Sequence, residues 1–190
     1  MVDSIEFPYV TVFSIGHGAR KIEDFIALLK KYEIEYIIDV RSSPRSRFSP
    51  HFNRLKLADA LRLDGIGYLF LGESLGGRPK DPNCYDVLGR VDYRLVAERD
   101  SYKKGLAGVI KAHEKRVRVA CMCSEISACD CHRSKLIGES LRDVGIDMVH
   151  ITKEGGIESQ LDVLRRLADG GVTSDMFGLD VLTKSRKSYR

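Results

Sequence analysis

Short apolar runs rich in β-branched residues alternate along this chain with stretches whose apolar residues recur at helical spacing, and that alternation narrows the fold more than any other feature. Val10, Val12, Phe13 and Ile15 make a strand-like run ending at Gly16. Ile22, Phe25, Ile26 and Leu29 then line one face of a helix whose other side carries Lys21, Glu23, Asp24, Lys30 and Lys31. The pattern repeats with a strand at Tyr36, Ile37, Ile38 and Val40, a helix from Leu55 to Leu63, and a third strand from Tyr68 to Leu71. Gly72 to Asp92 shows neither period, and its Gly76, Gly77, Pro79, Pro82 and Gly89 predict a long loop. Helical spacing returns between Tyr102 and His113, before a fourth strand at Val117, Val119, Ala120 and Met122. A helix from Leu136 to Val144, a fifth strand from Met148 to Ile151, and a last helix with Ile157, Leu161, Leu164 and Leu167 inside complete the reading.

Strands joined by amphipathic helices can lie side by side only through crossovers. The expectation is a three-layer α/β/α sandwich around a mostly parallel sheet of about five strands, Rossmann-like and doubly wound. The 190 residues, 43% hydrophobic and 31% charged, suit a single domain over 1–190. Its tail, 184–190, is basic and is predicted to be a solvated end. No apolar stretch approaches the ~20 residues that cross a bilayer, and Asp3 and Glu6 ahead of Pro8 do not resemble a secretory signal, so a cytoplasmic protein without a membrane partner is expected. Lys and Arg outnumber Asp and Glu by 31 to 27, too small an excess to imply nucleic acid by itself. Five cysteines, four of them between 121 and 131, do not form a disulfide framework in such a chain and point to metal, a reactive thiol or apolar packing.

Ligands of an open parallel sheet bind outside the carboxyl ends of its strands. That rule selects Gly16, His17 and Gly18, the segment from Arg41 to Arg47, the loop around Gly76 and Gly77, and Cys123 to Arg133. Asp130 reads as a helix N-cap that sets Cys131, His132 and Arg133 in a first turn, where backbone N–H groups favour an anion and a thiol ionises readily. Glu125 in the preceding loop adds a carboxylate, so proton transfer or nucleophilic attack beside a bound phosphate is the chemistry expected. The competing reading is a Glu125–Arg133 ion pair with cysteines packed in the core. No cofactor is predicted. The alternative is zinc or an iron–sulfur centre on Cys121, Cys123, Cys129 and Cys131, which the strand position and one-residue spacing of Cys121 and Cys123 disfavour. Between Val40 and Ala58 four Arg and one Lys meet no acidic residue and are interleaved with Phe48, Phe52, Ser46 and Asn53, which resembles a nucleotide or single-strand surface. Gly16-x-Gly18 starts a dinucleotide fingerprint that Lys21 breaks at the third glycine.

Ser14-Ile15-Gly16-His17, Asp39-Val40-Arg41-Ser42 with Pro44-x-Ser46-Arg47 and Phe52-Asn53, Gly67-Tyr68 with Leu75-Gly76-Gly77-Arg78, Met122-Cys123-x-Glu125 with Cys131-His132-Arg133, and His150-Ile151 occur in this order. The set resembles the domain of unknown function 488 family over roughly residues 11–152. The resemblance implies an intracellular α/β core at 11–152, followed by a C-terminal helical extension at 153–183 that lies outside it. It carries over His17, Arg41, Ser46, Arg47, Asn53, Gly76, Gly77, Cys123, Glu125, Cys131, His132 and Arg133 as motif positions, without Cys121 or Cys129, and implies no assigned reaction.

The function expected is an enzyme acting on a nucleotide or nucleic acid. Arg41, Arg47 and Arg133, with Ser46, Asn53, Gly76, Gly77 and Cys123, would hold a phosphorylated small molecule, nucleotide or nucleic acid. Glu125 would serve as general base or nucleophile in hydrolysis of a glycosidic or phosphoester bond, with His17 or His132 moving the proton. The alternatives are sulfur or phosphoryl transfer through Cys131 or Cys123, and a non-catalytic binding module.

Overall fold

The computed structural model describes residues 11–169 and 182–189. Val10 and the residues before it, 170–181 of the C-terminal extension, and Arg190 lie outside the described residues. Five strands of a six-stranded sheet run parallel: β1 (Val12–Gly16), β2 (Tyr36–Asp39), β3 (Gly67–Phe70), β5 (Val119–Cys123) and β6 (Met148–Ile151). Strand β7 (Ile157–Ser159) adds an antiparallel edge beside β6, giving the order β3-β2-β5-β1-β6-β7. β1 is buried at all five positions because it has neighbours on both edges and helices on both faces.

Alternation sorts the side chains between two apolar layers. Phe13, Ile15, Ala120 and Met122 meet Phe25 and Leu29 of α1 (Ile22–Lys31) and Leu57 and Leu61 of α2 (Arg54–Leu63). Val12, Val119, Cys121 and Cys123 face the opposite way, toward Tyr102 and Val109 of α5 (Asp100–Glu114) and the helical segment after residue 132. This is the three-layer α/β/α arrangement expected. Among the described residues no helix is long and apolar enough to cross a membrane.

Several local expectations are corrected. The 72–92 stretch is not one loop: it holds a short helix α3 (Gly72–Leu75), a 3-10 turn (Pro82–Cys84) and strand β4 (Arg90–Asp92), which leads into α4 (Tyr93–Ala97). Asp130 does not cap a helix. The helical run opens instead as a π-helical turn, Arg133–Gly138, and tightens into α6 (Glu139–Arg142), while Asp130 pairs with Arg186 at 3.0 Å. Ile157 belongs to β7 rather than to the last helix, α7 (Gln160–Asp169), which buries Gln160 and Val163 while Leu161 is exposed. The basic tail is not a free end either. Lys184–Ser188 forms β8, antiparallel to β4, with Ser185 buried and accepting the Val91 N–H at 2.8 Å.

Candidate functional site

Strand β5 lies between β2 and β1. The chain leaves both of those strands toward the α1–α2 layer but leaves β5 toward the opposite one, so the exits part and open a crevice at the carboxyl edge. A cavity of about 450 Å³ occupies it. Cys123, Glu125 and His132 are at its floor, His17, Arg41 and Gly77 along its wall, and Arg45, Arg78, Arg186 and Lys187 around its mouth.

The floor depends on Gly16. A Cβ there would fall on the Glu125 carbonyl and lie 2.6 Å from the Ile126 Cα, so only glycine admits the 124–126 loop across the end of β1. The N–H groups of His17 and Gly18 then donate to the Cys123 and Ser124 carbonyls at 2.9 and 3.0 Å. The broken dinucleotide fingerprint is therefore a close-approach device, and it holds Glu125 half-buried at the cavity.

Arg133 lies beneath this loop with no exposed surface. Its guanidinium donates to the Cys131 sulfur (3.2 Å), the Ser14 hydroxyl (3.1 Å) and the backbone carbonyls of Glu125 (2.6 Å) and Ser127 (3.5 Å), and among the described residues to no carboxylate. Ser14 and Gln160, which sequence reasoning passed over, hold it there. The Gln160 side-chain carbonyl, 2.7 Å from His150 Nε2, can only accept, so Nε2 carries the proton and Nδ1 accepts the Ser14 O–H at 2.6 Å. Burial holds the His150 imidazole down to about 4, with Arg133 adding to the effect. Burial works against the charge of Arg133, and the sulfurs of Cys131 and Cys123 more than restore it.

The two sulfurs behave as one unit. A hydrogen bond from Cys131 holds the Cys123 thiol well below its ordinary range, against burial and with help from His132 and Arg133. Burial, then the hydrogen bond to Cys123, holds Cys131 well above it. Cys121, fully enclosed in the core, is pushed up to about 12 by burial. Cys129 is elsewhere: its sulfur accepts from Arg166 Nε at 3.2 Å. The four cysteines therefore do not converge, and the group that does is Cys123, Glu125, Cys131 and His132, whose donor atoms lie within 4.8 Å of one another.

Arg41 reaches the cavity wall, but its charge is committed. Its Nε and one terminal nitrogen grip Asp39 at 2.9 and 2.6 Å, that nitrogen also reaches the Phe52 carbonyl at 2.8 Å, and the Tyr68 hydroxyl donates to the same carboxylate at 2.6 Å. The remaining terminal nitrogen points at His17 Nε2, 3.3 Å away. His17 Nδ1 donates to the Gly18 carbonyl at 2.9 Å, and burial, then the neighbouring Arg41 charge, holds the ring down to about 4. It is a neutral acceptor stacked on Phe52, with ring centroids 4.3 Å apart.

The Arg41–Arg54 segment divides differently from its sequence pattern. Asn53 accepts the Ser46 N–H at 2.6 Å and Ser46 accepts the Ser49 N–H at 3.1 Å, so both knit the loop. Arg47 lines a neighbouring shallow pocket rather than the cavity. Phe52 is core, whereas Phe48 is 96% exposed. Gly76 lets α3 approach Ser42, and Gly77 lies against the His132 ring. Arg45, Arg78, Lys187 and Tyr189 at the mouth were missed. Arg45 and Arg78 could have been read from the Arg41 segment and the Gly76-Gly77 motif they adjoin, but nothing in the sequence signals that the tail folds back.

A family model described as "Domain of unknown function DUF488" matches residues 21–139, a narrower span than the resemblance suggested, which leaves His17 outside it. Neither a curated protein nor a solved structure matches the chain. Because the matched span exceeds half the chain and runs from α1 through the Arg41 loop to the cysteines and Arg133, the protein belongs to the DUF488 family.

Proposed function

We propose that this protein is an enzyme that hydrolyses a phosphorylated substrate, a nucleotide or a nucleic-acid end, with Glu125 as general base. One observation carries the reading. Among the described residues Arg45, Arg78 and Lys187, around the mouth of the cavity, have no carboxylate partner, the Asp130 carboxylate beside them is paired with Arg186, and the Glu125 carboxylate and a thiol stand at the floor. Unpaired cations around a concave, largely preformed site favour a ligand of opposite charge, and the size is that of a small-molecule pocket. The Arg78 guanidinium also sits 4.2 Å over the Tyr189 ring, a planar surface against which a base can stack. The phosphate role passes from Arg41 and Arg133, whose guanidiniums are committed, to these mouth residues.

Calorimetric titration with inorganic phosphate and with nucleoside monophosphates at low salt tests the reading. Binding is expected to weaken about tenfold or more in Arg45→Ala/Arg78→Ala, in line with about 1.5–3 kcal/mol for a hydrogen bond to a charged group, and to fall with added salt. Glu125→Gln should keep binding and lose turnover. No binding by the wild type, or equal binding by the double variant, would overturn it.

A further inference from the structure

The four donor groups at the cavity floor are of the kinds that bind borderline-soft metal ions: two sulfurs, one imidazole and one carboxylate, all within 4.8 Å of one another. Three further observations give the cluster direction. First, His132 Nε2 lies 3.0 Å from the Val40 carbonyl. A carbonyl only accepts, so Nε2 carries the proton and Nδ1 keeps its lone pair, facing the Cys131 sulfur at 3.6 Å. A ring whose far N–H is tied to a backbone carbonyl is the outer-sphere arrangement that fixes a metal-binding histidine. Second, a Cβ at Gly77 would stand 2.7 Å from both Nδ1 and Cγ of that ring, so glycine leaves the ring room to sit beside the cluster. Third, Arg133 is fully buried, has no carboxylate contact among the described residues and donates to the Cys131 sulfur. A metal ion displaces the proton the two sulfurs share, and two thiolates and one carboxylate against one guanidinium then leave a double negative charge, which a divalent cation cancels.

We propose that Cys123, Cys131 and His132 bind a divalent transition-metal ion, zinc by their donor chemistry, with Glu125 at the fourth position on the cavity side. The three residues come from the end of β5 and the entry to the π-helical turn, both buried, so they can present their donors with little reorganisation. Glu125 alone of the four is half-exposed and can yield its place to water. Three protein ligands with one exchangeable position distinguish a catalytic zinc site from a structural one. The inference deepens the hydrolytic reading above and rests on it only for the task of the ion. There, the ion-bound water gives a proton to Glu125, the resulting hydroxide attacks the electrophilic centre of the substrate, and the leaving group takes the proton back. Cys121 and Cys129 take no part.

The test uses the full chain, stripped by a chelator under reducing conditions and titrated with Zn²⁺ against a chromophoric competitor, then with Co²⁺ followed by absorption. The expected result is a single equivalent bound, with the thiolate-to-cobalt charge-transfer band and visible spectrum of a tetrahedral site. Cys129→Ala should bind like the wild type, and Cys123→Ser should bind at least about a hundredfold more weakly, since loss of even an outer-sphere partner costs about 10- to 100-fold. Cys131 is in the core, so circular dichroism checks the fold of Cys131→Ser and the decision falls on Cys123→Ser at the cavity floor. A wild type that binds no tighter than Cys123→Ser, or an ion lost with Cys129 instead, would overturn the proposal. Phosphate titration of the stripped protein separates the two readings. Phosphate binding without metal binding removes the ion and leaves the hydrolytic cavity, and metal binding without phosphate binding does the reverse.

Discussion

Arg41 and Arg133 are both taken out of water, 4% and 0% exposed, and the structure neutralises them in opposite ways. Arg41 faces its own carboxylate, Asp39, two residues away across the end of β2, and Tyr68 completes the group. Every charge there has a partner, and the group braces the loop that leaves β2. Arg133 has a hydroxyl, two backbone carbonyls and a sulfur. Its ionisable counter-charges are first the cysteines and then, without contact, Glu125, so the chain spends a buried cation on supporting thiolate chemistry. Of two arginines with the same burial, the one with the better ion pair is the structural one.

The largest effect expected from this contrast is at Asp39. Asp39→Ala leaves Arg41 buried and unpaired and should cost about 3–5 kcal/mol in urea unfolding at unchanged slope. Asp39→Leu with Arg41→Met should recover most of that loss. The matching deletion on the other side, Glu125→Gln, should change stability by less than about 1 kcal/mol, because Arg133 touches the Glu125 backbone and not its carboxylate. Equal losses in Asp39→Ala and Glu125→Gln would break the comparison.

The next effect is shared. Each arginine is set beside or behind a neutral imidazole, His17 for Arg41 and His150, through Ser14, for Arg133. Both rings are held down to about 4 in the folded state against an ordinary 6.5. The unfolded chain therefore binds the extra protons between these values, so the stability they contribute is complete above pH 6.5 and is lost as the pH falls toward 4. For His150, the more deeply buried, the loss should be on the order of 3 kcal/mol. Urea midpoints measured between neutral pH and pH 4 should fall more steeply in the wild type than in His150→Gln, and parallel curves would remove His150 from the account.

What could be read in the sequence follows the same division. Parallel strands buried on both faces are continuous apolar runs, so β1, β2, β5 and β6 were legible, and the carboxyl-edge rule then brought His17, Arg41, Cys123, Glu125 and His132 to one cavity. β4 and β8 were not legible. Lys184–Ser188 has no apolar period, and it becomes a strand only because β4 offers an unpaired edge and Ser185 closes on Val91. Partner choice was equally hidden. Nothing in Arg41-x-x-x-x-x-Arg47 says that the first arginine turns back onto Asp39, or that Phe52 leaves the basic loop to stack under His17. A residue's type and strand position are local, whereas the satisfaction of a buried charge is decided by elements distant in the chain.

The smallest effect sharpens the sulfur side of the contrast without touching a charge. Gly77→Ala would press a methyl group to within 2.7 Å of the His132 ring, whose Nε2 is already tied to Val40 and whose neighbours Cys131 and Arg133 are fully buried. The ring cannot turn away without breaking that hydrogen bond, so the strain should cost about 1–3 kcal/mol, the range of core overpacking. The methyl group would press on Nδ1, the donor atom, as closely as on Cγ. Metal affinity should therefore fall while the Arg41 group keeps its stability contribution. A double-mutant cycle tests this independence: Gly77→Ala combined with Asp39→Ala should give additive losses within about 0.5 kcal/mol, because the link between the two groups is a backbone carbonyl that neither substitution removes. Coupling well above that would mean that the two arginines share one mechanical unit through Val40, the residue that lies between Asp39 and Arg41 and whose carbonyl holds His132.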